Sequence, residues 1–243
     1  MIIVWDTSQD YRLKVADRSI SLFMKAIESG SLRGQWNKRY AIQMADEIKK
    51  ILQSLIYSYI EPEELSSSPE MLSIKEKVES IVEALGGERW AEMFLREAEE
   101  KEKTEENLAR IRFFLNTLLR LKERLMFGKI SDPIIGIDIL VGEVMSSTKH
   151  PRADKLQICN VDIGGRSIKV ITNDLKVKKG DRVAVALVPP QNFMGITSEG
   201  MFLGTQSGVL RDVKGELGGL PKGIPLESLK DARNIIEEFI KGK

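Results

Sequence analysis

The chain has 243 residues, of which 42% are hydrophobic and 30% are charged, as in a globular protein that forms a core in one large domain or two ordinary ones. Basic and acidic residues nearly cancel, 37 against 36, which excludes nonspecific electrostatic capture of nucleic acid as the main activity. No apolar run is long enough to span a membrane, and the apolar start at residues 1–5 is too short for a secretory signal. These features predict a cytoplasmic protein.

Residues 1–128 are predicted to form a helical bundle domain. Apolar side chains recur at helical spacing from Asp10 to Ser29 and from Asn37 to Ile60. A third helix begins after Ser68, with Pro69 at its first position, and ends at the glycine pair 86–87. From residue 88 to about 127 we expect one long or kinked helix, in preference to two helices separated by a turn in the charged run 97–106 with a cap at Thr104.

An apolar stripe runs along the last predicted helix. It is wide enough to pack in the core of a bundle or against a partner helix. Its members are Leu108, Ile111, Leu115, Leu118, Leu119, Leu121 and Leu125. The second alternative predicts a homodimer.

The pattern changes after residue 128. Residues 129–133 are a predicted linker, because Gly128, Ser131 and Pro133 interrupt the helix. Short runs with strand character follow at 137–145, 156–163, 168–171 and 183–188, which indicates a small barrel or sandwich. We therefore expect an α+β protein: the helical domain, a β domain over 134–210, and a C-terminal extension over 211–243 that closes with a helix from about Glu227 to Lys241.

Four short motifs follow one another in the β-rich region: V-G-E-V at 141–144, H-P-R-A-D-K-L at 150–156, V-D-I-G-G at 161–165 and G-I-T-S-E-G-M at 195–201. In this order they resemble the tRNA-binding OB domain of free-standing tRNA-binding proteins, of the phenylalanyl-tRNA synthetase beta chain, and of some methionyl- and tyrosyl-tRNA synthetases. The resemblance implies a five-stranded OB barrel over 134–210, tRNA as a partner and an aminoacyl-tRNA synthetase as a further one. Frequent dimerisation of the free-standing relatives is the second support for a homodimer.

The candidate RNA-binding residues are Lys149, Arg152, Lys155, Asn192, Ser198 and Met201. The first three surround a proline-stiffened turn, where cationic side chains can meet phosphate oxygens, although a solvated loop would show the same pattern. The resemblance implies that Lys155, Ser198 and Met201 contact tRNA. Asn192 lies in the segment 189–194, where many relatives instead carry lysines or arginines.

No catalytic motif of the phosphate-binding, dinucleotide-binding, zinc-protease or synthetase type is present in the sequence. His150, the only histidine, is expected to be a structural turn residue, and Cys159, the only cysteine, to pack as a small buried side chain. We therefore expect no catalytic residues, metal or cofactor.

These observations favour a non-catalytic protein that recognises folded tRNA by shape through its OB domain. We expect it to act as an accessory protein of an aminoacyl-tRNA synthetase. The alternative is a scaffold or chaperone-like dimer that has lost useful RNA affinity. An enzyme that acts on tRNA is the third hypothesis, for which no acid–base pair is found.

Overall fold

The computed structural model describes residues 5–242, which divide into two compact units, the first ending at Gly136 and the second beginning at Ile137. The first unit is helical and the second is built on an antiparallel sheet, so the predicted α+β class is confirmed. The apolar start at residues 1–5, used above to argue against a secretory signal, lies outside the described residues except for Trp5.

Within residues 5–136 the structure has seven α-helices: α1 (Tyr11–Glu28), α2 (Lys38–Ile56), α3 (Pro62–Ser66), α4 (Pro69–Leu85), α5 (Trp90–Arg96), α6 (Lys101–Leu119) and α7 (Leu121–Leu125). The side chains of Asn37 and Ser68 cap α2 and α4 by accepting hydrogen bonds from backbone N–H groups. Helix α4 ends at Gly86, whose φ of +119° suits glycine. The predicted starts of α2 and α4 and the end of α4 are confirmed.

The prediction of one long or kinked helix from residue 88 to 127 is wrong. The structure breaks it at 97–100 and again at Arg120, giving α5, α6 and α7. Helix α5 buries Phe94 completely, with its ring 5.5 Å from that of Trp36, whereas the run 97–103 offers only Ala98 to an apolar core. A continuous helix would therefore gain little packing across this run. The competing idea of a cap at Thr104 is also wrong, since α6 begins three residues earlier.

The apolar stripe forms the core of its own unit. Leu108, Ile111 and Leu121 are fully buried, and Phe114 stacks on Phe23 of α1 with ring centroids 4.5 Å apart. Leu119 is the exception, with 40% of its surface exposed. Of the two alternatives, the bundle core is confirmed, and the stripe no longer supports the expected homodimer, because its side chains are already packed.

The second unit contains these strands: β1 (Ile139–His150), β2 (Ala153–Asp162), β3 (Ser167–Thr172), β4 (Arg182–Ala186), β5 (Gln191–Phe193), β6 (Ile196–Ser198), β7 (Met201–Phe202), β8 (Gly204–Thr205) and β9 (Gly208–Val209). Five of them form an antiparallel sheet in the order β3-β2-β1-β4-β7, while β5–β6 and β8–β9 are separate hairpins.

The sheet curls until its two edges meet. The backbone N–H of Glu199, just before β7, donates to the carbonyl of Lys169 on β3 at 2.8 Å. The resulting five-stranded barrel surrounds a core of mainly valine and isoleucine side chains that includes Cys159. Burial raises the pKa of the Cys159 thiol, as expected for an unreactive packed cysteine.

The C-terminal extension packs back on the barrel. Gly218 donates to the carbonyl of Val141, and the Val141 N–H donates to Gly219, both at 2.8 Å, so the tail lies along β1. A 3-10 turn at Leu226–Leu229 leads into α8 (Lys230–Lys241), which buries Ala232 and Ile236. The predicted closing helix is confirmed.

Candidate nucleic-acid interface

The turn between β1 and β2 is organised by His150. This side chain is 4% exposed, and its Nδ1 accepts a hydrogen bond from the backbone N–H of Arg152 at 3.1 Å. Because Nδ1 accepts, Nε2 carries the proton and donates to the carbonyl of Phe193 on β5 at 2.9 Å. The expected structural role of His150 is confirmed, and the side chain also joins two segments 43 residues apart in sequence.

The β5–β6 hairpin lies at the other end of this bond. Met194 and Gly195 form its two-residue turn with φ values of +49° and +91°, as in the turns that suit tight hairpins. The side chain of Asn192 accepts from the Gly195 N–H at 2.8 Å, and Nη1 of Arg152 donates to the Met194 carbonyl at 2.9 Å. Arg152 and Asn192 therefore help to build the junction between the turn and the hairpin.

The two lysines of the candidate set remain available to a ligand. Lys149 and Lys155 are exposed, and among residues 5–242 neither side chain forms an ion pair or a hydrogen bond. They flank the turn that holds Arg152, so three cationic side chains lie close together in sequence on one hairpin. Such a local cluster can contact phosphates although the chain's net charge is only +1.

Ser198 lies in the barrel wall. It is 4% exposed, its hydroxyl oxygen accepts from the Ile171 N–H at 3.0 Å, and the hydroxyl donates to the Gly200 carbonyl at 2.8 Å. Its hydrogen-bonding groups are thus used to fasten the segment before β7 to β3. A direct RNA contact by this hydroxyl stays a prediction from the motif, and the structure supplies a different use for the serine.

Met201 is half-buried on β7 and lines a groove together with Leu156 and Phe193. The sequence did not single out the latter two, although Phe193 is the one aromatic residue in the segment 189–194 and Leu156 directly follows Lys155. The structure therefore brings three partly buried apolar side chains together in one groove of the second unit.

No group of three or more histidine, cysteine, aspartate or glutamate side chains is arranged to hold a metal ion within residues 5–242. In the same part of the chain, no helix combines the length and apolar character that a membrane crossing requires.

A variant of His150 tests the junction. His150→Ala leaves the Phe193 carbonyl without its donor, which costs about 1 kcal/mol and should speed local opening of the β5–β6 hairpin roughly fivefold. Hydrogen–deuterium exchange of the hairpin amides is the measurement. His150→Gln can keep a donor near the Nε2 position and should recover part of the protection. Unchanged exchange in His150→Ala would show that the bond does not hold the hairpin.

Comparison with known proteins matches each unit to a family. The family described as "Alpha helical domain" matches residues 2–128, and the one described as "Putative tRNA binding domain" matches residues 139–227. The beta subunit of phenylalanine–tRNA ligase from Thermotoga maritima is 30% identical over 112 residues, which cover 42% of this chain and 14% of that protein. The same subunit from Nitratidesulfovibrio vulgaris is 42% identical over 82 residues, 31% of this chain and 10% of that protein.

A solved structure, the MetRS related protein from Pyrococcus horikoshii, aligns at 22% identity with a TM-score of 0.29, over 37% of this chain and 86% of its own. The matched segments of the two ligase subunits above are at most a seventh of those proteins. The first family spans more than half of the 243 residues, and the second contains the motifs of the β-rich region. The chain therefore belongs to the alpha helical domain family and carries, in its second unit, a domain of the tRNA-binding OB family.

Proposed function

We propose that this chain is a non-catalytic protein that binds folded tRNA by shape through its barrel. One observation supports this most: the lysines of the β1–β2 turn are unpaired, and His150 and Arg152 fix that turn to the β5–β6 hairpin. The cations are thereby held on a preorganised edge, so ordering them on binding costs little entropy. This edge lies within the region that matches the tRNA-binding family.

Recognition by shape follows from the small number of charges. Two free lysines and one arginine neutralise few phosphates, so charge alone cannot supply high affinity. Affinity then depends on whether the ligand presents phosphates and unpaired bases at the spacing set by the rigid junction. A folded tRNA presents such a fixed surface, whereas a flexible single strand must first be ordered.

The accessory role extends this proposal. The names of the relatives, beta subunits of phenylalanine–tRNA ligase, support action beside an aminoacyl-tRNA synthetase. A cytoplasmic location is part of the same proposal. The helical unit would dock on that partner or on a second copy, though not through the stripe along α6 and α7, which is buried. A scaffold without useful RNA affinity is the competing function, favoured by the absence of basic residues from segment 189–194.

A direct comparison tests the proposal. Folded tRNA should bind more tightly than single-stranded RNA of the same length at physiological salt, measured by fluorescence anisotropy with the full chain. Heat-denatured tRNA kept unfolded without magnesium serves as a composition-matched control and should compete poorly. Equal affinity for the three RNAs would contradict recognition by shape, and no binding to any of them would favour the scaffold.

A further inference from the structure

A groove in the second unit has one wall that lies mostly beyond the residues matching the tRNA-binding family. Its volume is ≈ 760 Å³, within the range of roughly 300–1,000 Å³ typical of sites for small ligands. The barrel and the β8–β9 hairpin form one side. Residues 227–231, which continue from the last position of the family match into α8, form the other.

The barrel side of this groove, called the extension groove below, includes three apolar side chains. Leu156, Phe193 and Met201 line it and are each only partly buried, so the fold leaves apolar surface facing an open cavity. The Phe193 ring offers an aromatic face, and Met201 a soft thioether that packs well on planar ligands. This combination suits a planar heterocycle, and a nucleobase has that shape.

Two polar side chains that line the groove can form hydrogen bonds with such a base. Asn173 and Gln206 are exposed, line the groove, and have no hydrogen-bond partner among residues 5–242. Each amide offers donors and an acceptor, which match the mixed edge of an unpaired base. Neither amide has to give up an internal bond in order to bind.

Charge decides which way a nucleotide enters. Glu227 and Asp231 line the extension wall together with Lys230, whereas Lys155 directly precedes Leu156 on β2 and does not itself line the groove. Like charge makes the acidic wall unfavourable for a phosphate and leaves the basic turn as its place. A continuous strand running through the groove is therefore disfavoured.

Asp174, on the barrel side, does not add a free carboxylate. Burial disfavours its charged form, but the N–H groups of Val209 and Lys176, at 2.9 and 3.0 Å, outweigh that effect and hold the pKa of Asp174 below its ordinary value. Its charge is used to hold β9 beside the groove, so the groove keeps its form over the neutral pH range.

We infer that the extension groove takes one unpaired nucleotide of the bound RNA, base first, with the base on Phe193 and Met201 and its phosphate at Lys155. This inference rests on the proposed function, because the groove acts only on an RNA that the basic edge already holds. Two sources offer the same chemistry: a nucleotide at a 3′ end and one bulged from a duplex.

Three RNA hairpins with the same stem test the inference: one blunt, one with a single 3′-overhanging nucleotide and one with a single bulged nucleotide. The unpaired position carries 2-aminopurine, whose fluorescence falls when it stacks on an aromatic ring. The overhang hairpin, the bulge hairpin or both should bind about tenfold tighter than the blunt one, with quenching, and the comparison identifies the source. Phe193→Ala should remove both the increment and the quenching, while Phe193→Leu, which keeps apolar bulk, should restore part of the affinity without the quenching.

Substitutions at two exposed positions test RNA binding without affecting the folding of the barrel. Gln206→Ala should reduce the increment without disturbing the barrel, because its side chain has no internal partner. Asp231→Lys should raise the affinity for a single-stranded oligonucleotide, since the wall then attracts phosphates. Ser207→Ala, in the same turn as Gln206 but outside the groove lining, serves as the matched control.

The outcomes for the two proposals differ. Equal affinity for all three hairpins, with folded tRNA still bound and weakened by Lys155→Ala, would overturn the groove alone. A reduced increment in Gln206→Ala and its loss in Phe193→Ala, with folded tRNA still detectably bound, supports it. Absence of binding to every RNA, folded tRNA included, would overturn both.

Discussion

Replacing Arg12 by leucine should destabilise the helical unit by roughly 3–5 kcal/mol, because the change breaks a buried ion pair from one side. The side chains of Arg12 and Asp10 are both 0% exposed and lie 2.6 Å apart. The same guanidinium donates to the carbonyls of Arg124 and Gly128, each at 2.9 Å, where α7 ends. Arg12→Leu removes the guanidinium from a buried carboxylate and from two carbonyls, and the neutral N–H groups that still reach Asp10, from the Trp5 indole and the residue 12 backbone, do not balance its charge. The midpoint of thermal unfolding should fall on the order of 10 °C.

Tryptophan fluorescence measures this effect in the correct unit, since Trp5, Trp36 and Trp90 all precede Gly136. Arg33→Leu is the matched control: its side chain is 57% exposed and pairs with Glu99 at 3.4 Å, so less than about 1 kcal/mol should be lost. Asp10→Leu added to Arg12→Leu should recover part of the loss, because the buried charge is then gone. Equal midpoints for the two arginine variants would refute the role assigned to Arg12.

The sequence predicted those parts of the fold that depend on neighbouring residues. The caps at Asn37 and Ser68 and the stop at Gly86 act within one turn of helix, so their residue types are sufficient evidence. The break after α5 was not predictable in this way. It depends on Phe94 meeting Trp36, a contact between residues 58 positions apart that helical periodicity does not encode.

The same distinction applies to the candidate site. The H-P-R-A-D-K-L motif was sufficient to propose the lysines, because it places them around one turn. The use of Ser198 was not visible, since the buried partner of its hydroxyl is the backbone of Ile171 on another strand. The extension groove was also hidden, because its far wall consists of Ser228, Lys230 and neighbouring residues that reach the barrel only after the tail has folded back.

Removing the two free lysines should weaken the binding of folded tRNA by roughly 15- to 30-fold at 0.15 M salt. The double variant Lys149→Ala with Lys155→Ala deletes two cations that have no internal partner, so the barrel itself loses little. If each lysine neutralises one phosphate, the slope of log affinity against log salt should flatten by about 1.4 to 1.8 units. The measurement is a series of tRNA titrations between low and physiological salt.

Two further variants serve as controls for the change in the salt slope. Lys178→Ala with Lys179→Ala removes the same charge from the turn before β4, where Gly180 donates to Val144, and should change neither affinity nor slope appreciably. Met201→Ala deletes an uncharged groove contact, so affinity should fall while the slope stays constant. If both lysine pairs flatten the slope equally, tRNA is attracted by total charge and not by the turn. If Met201→Ala changes the slope, the methionine acts by placing the lysines, since an uncharged side chain releases no counterion itself.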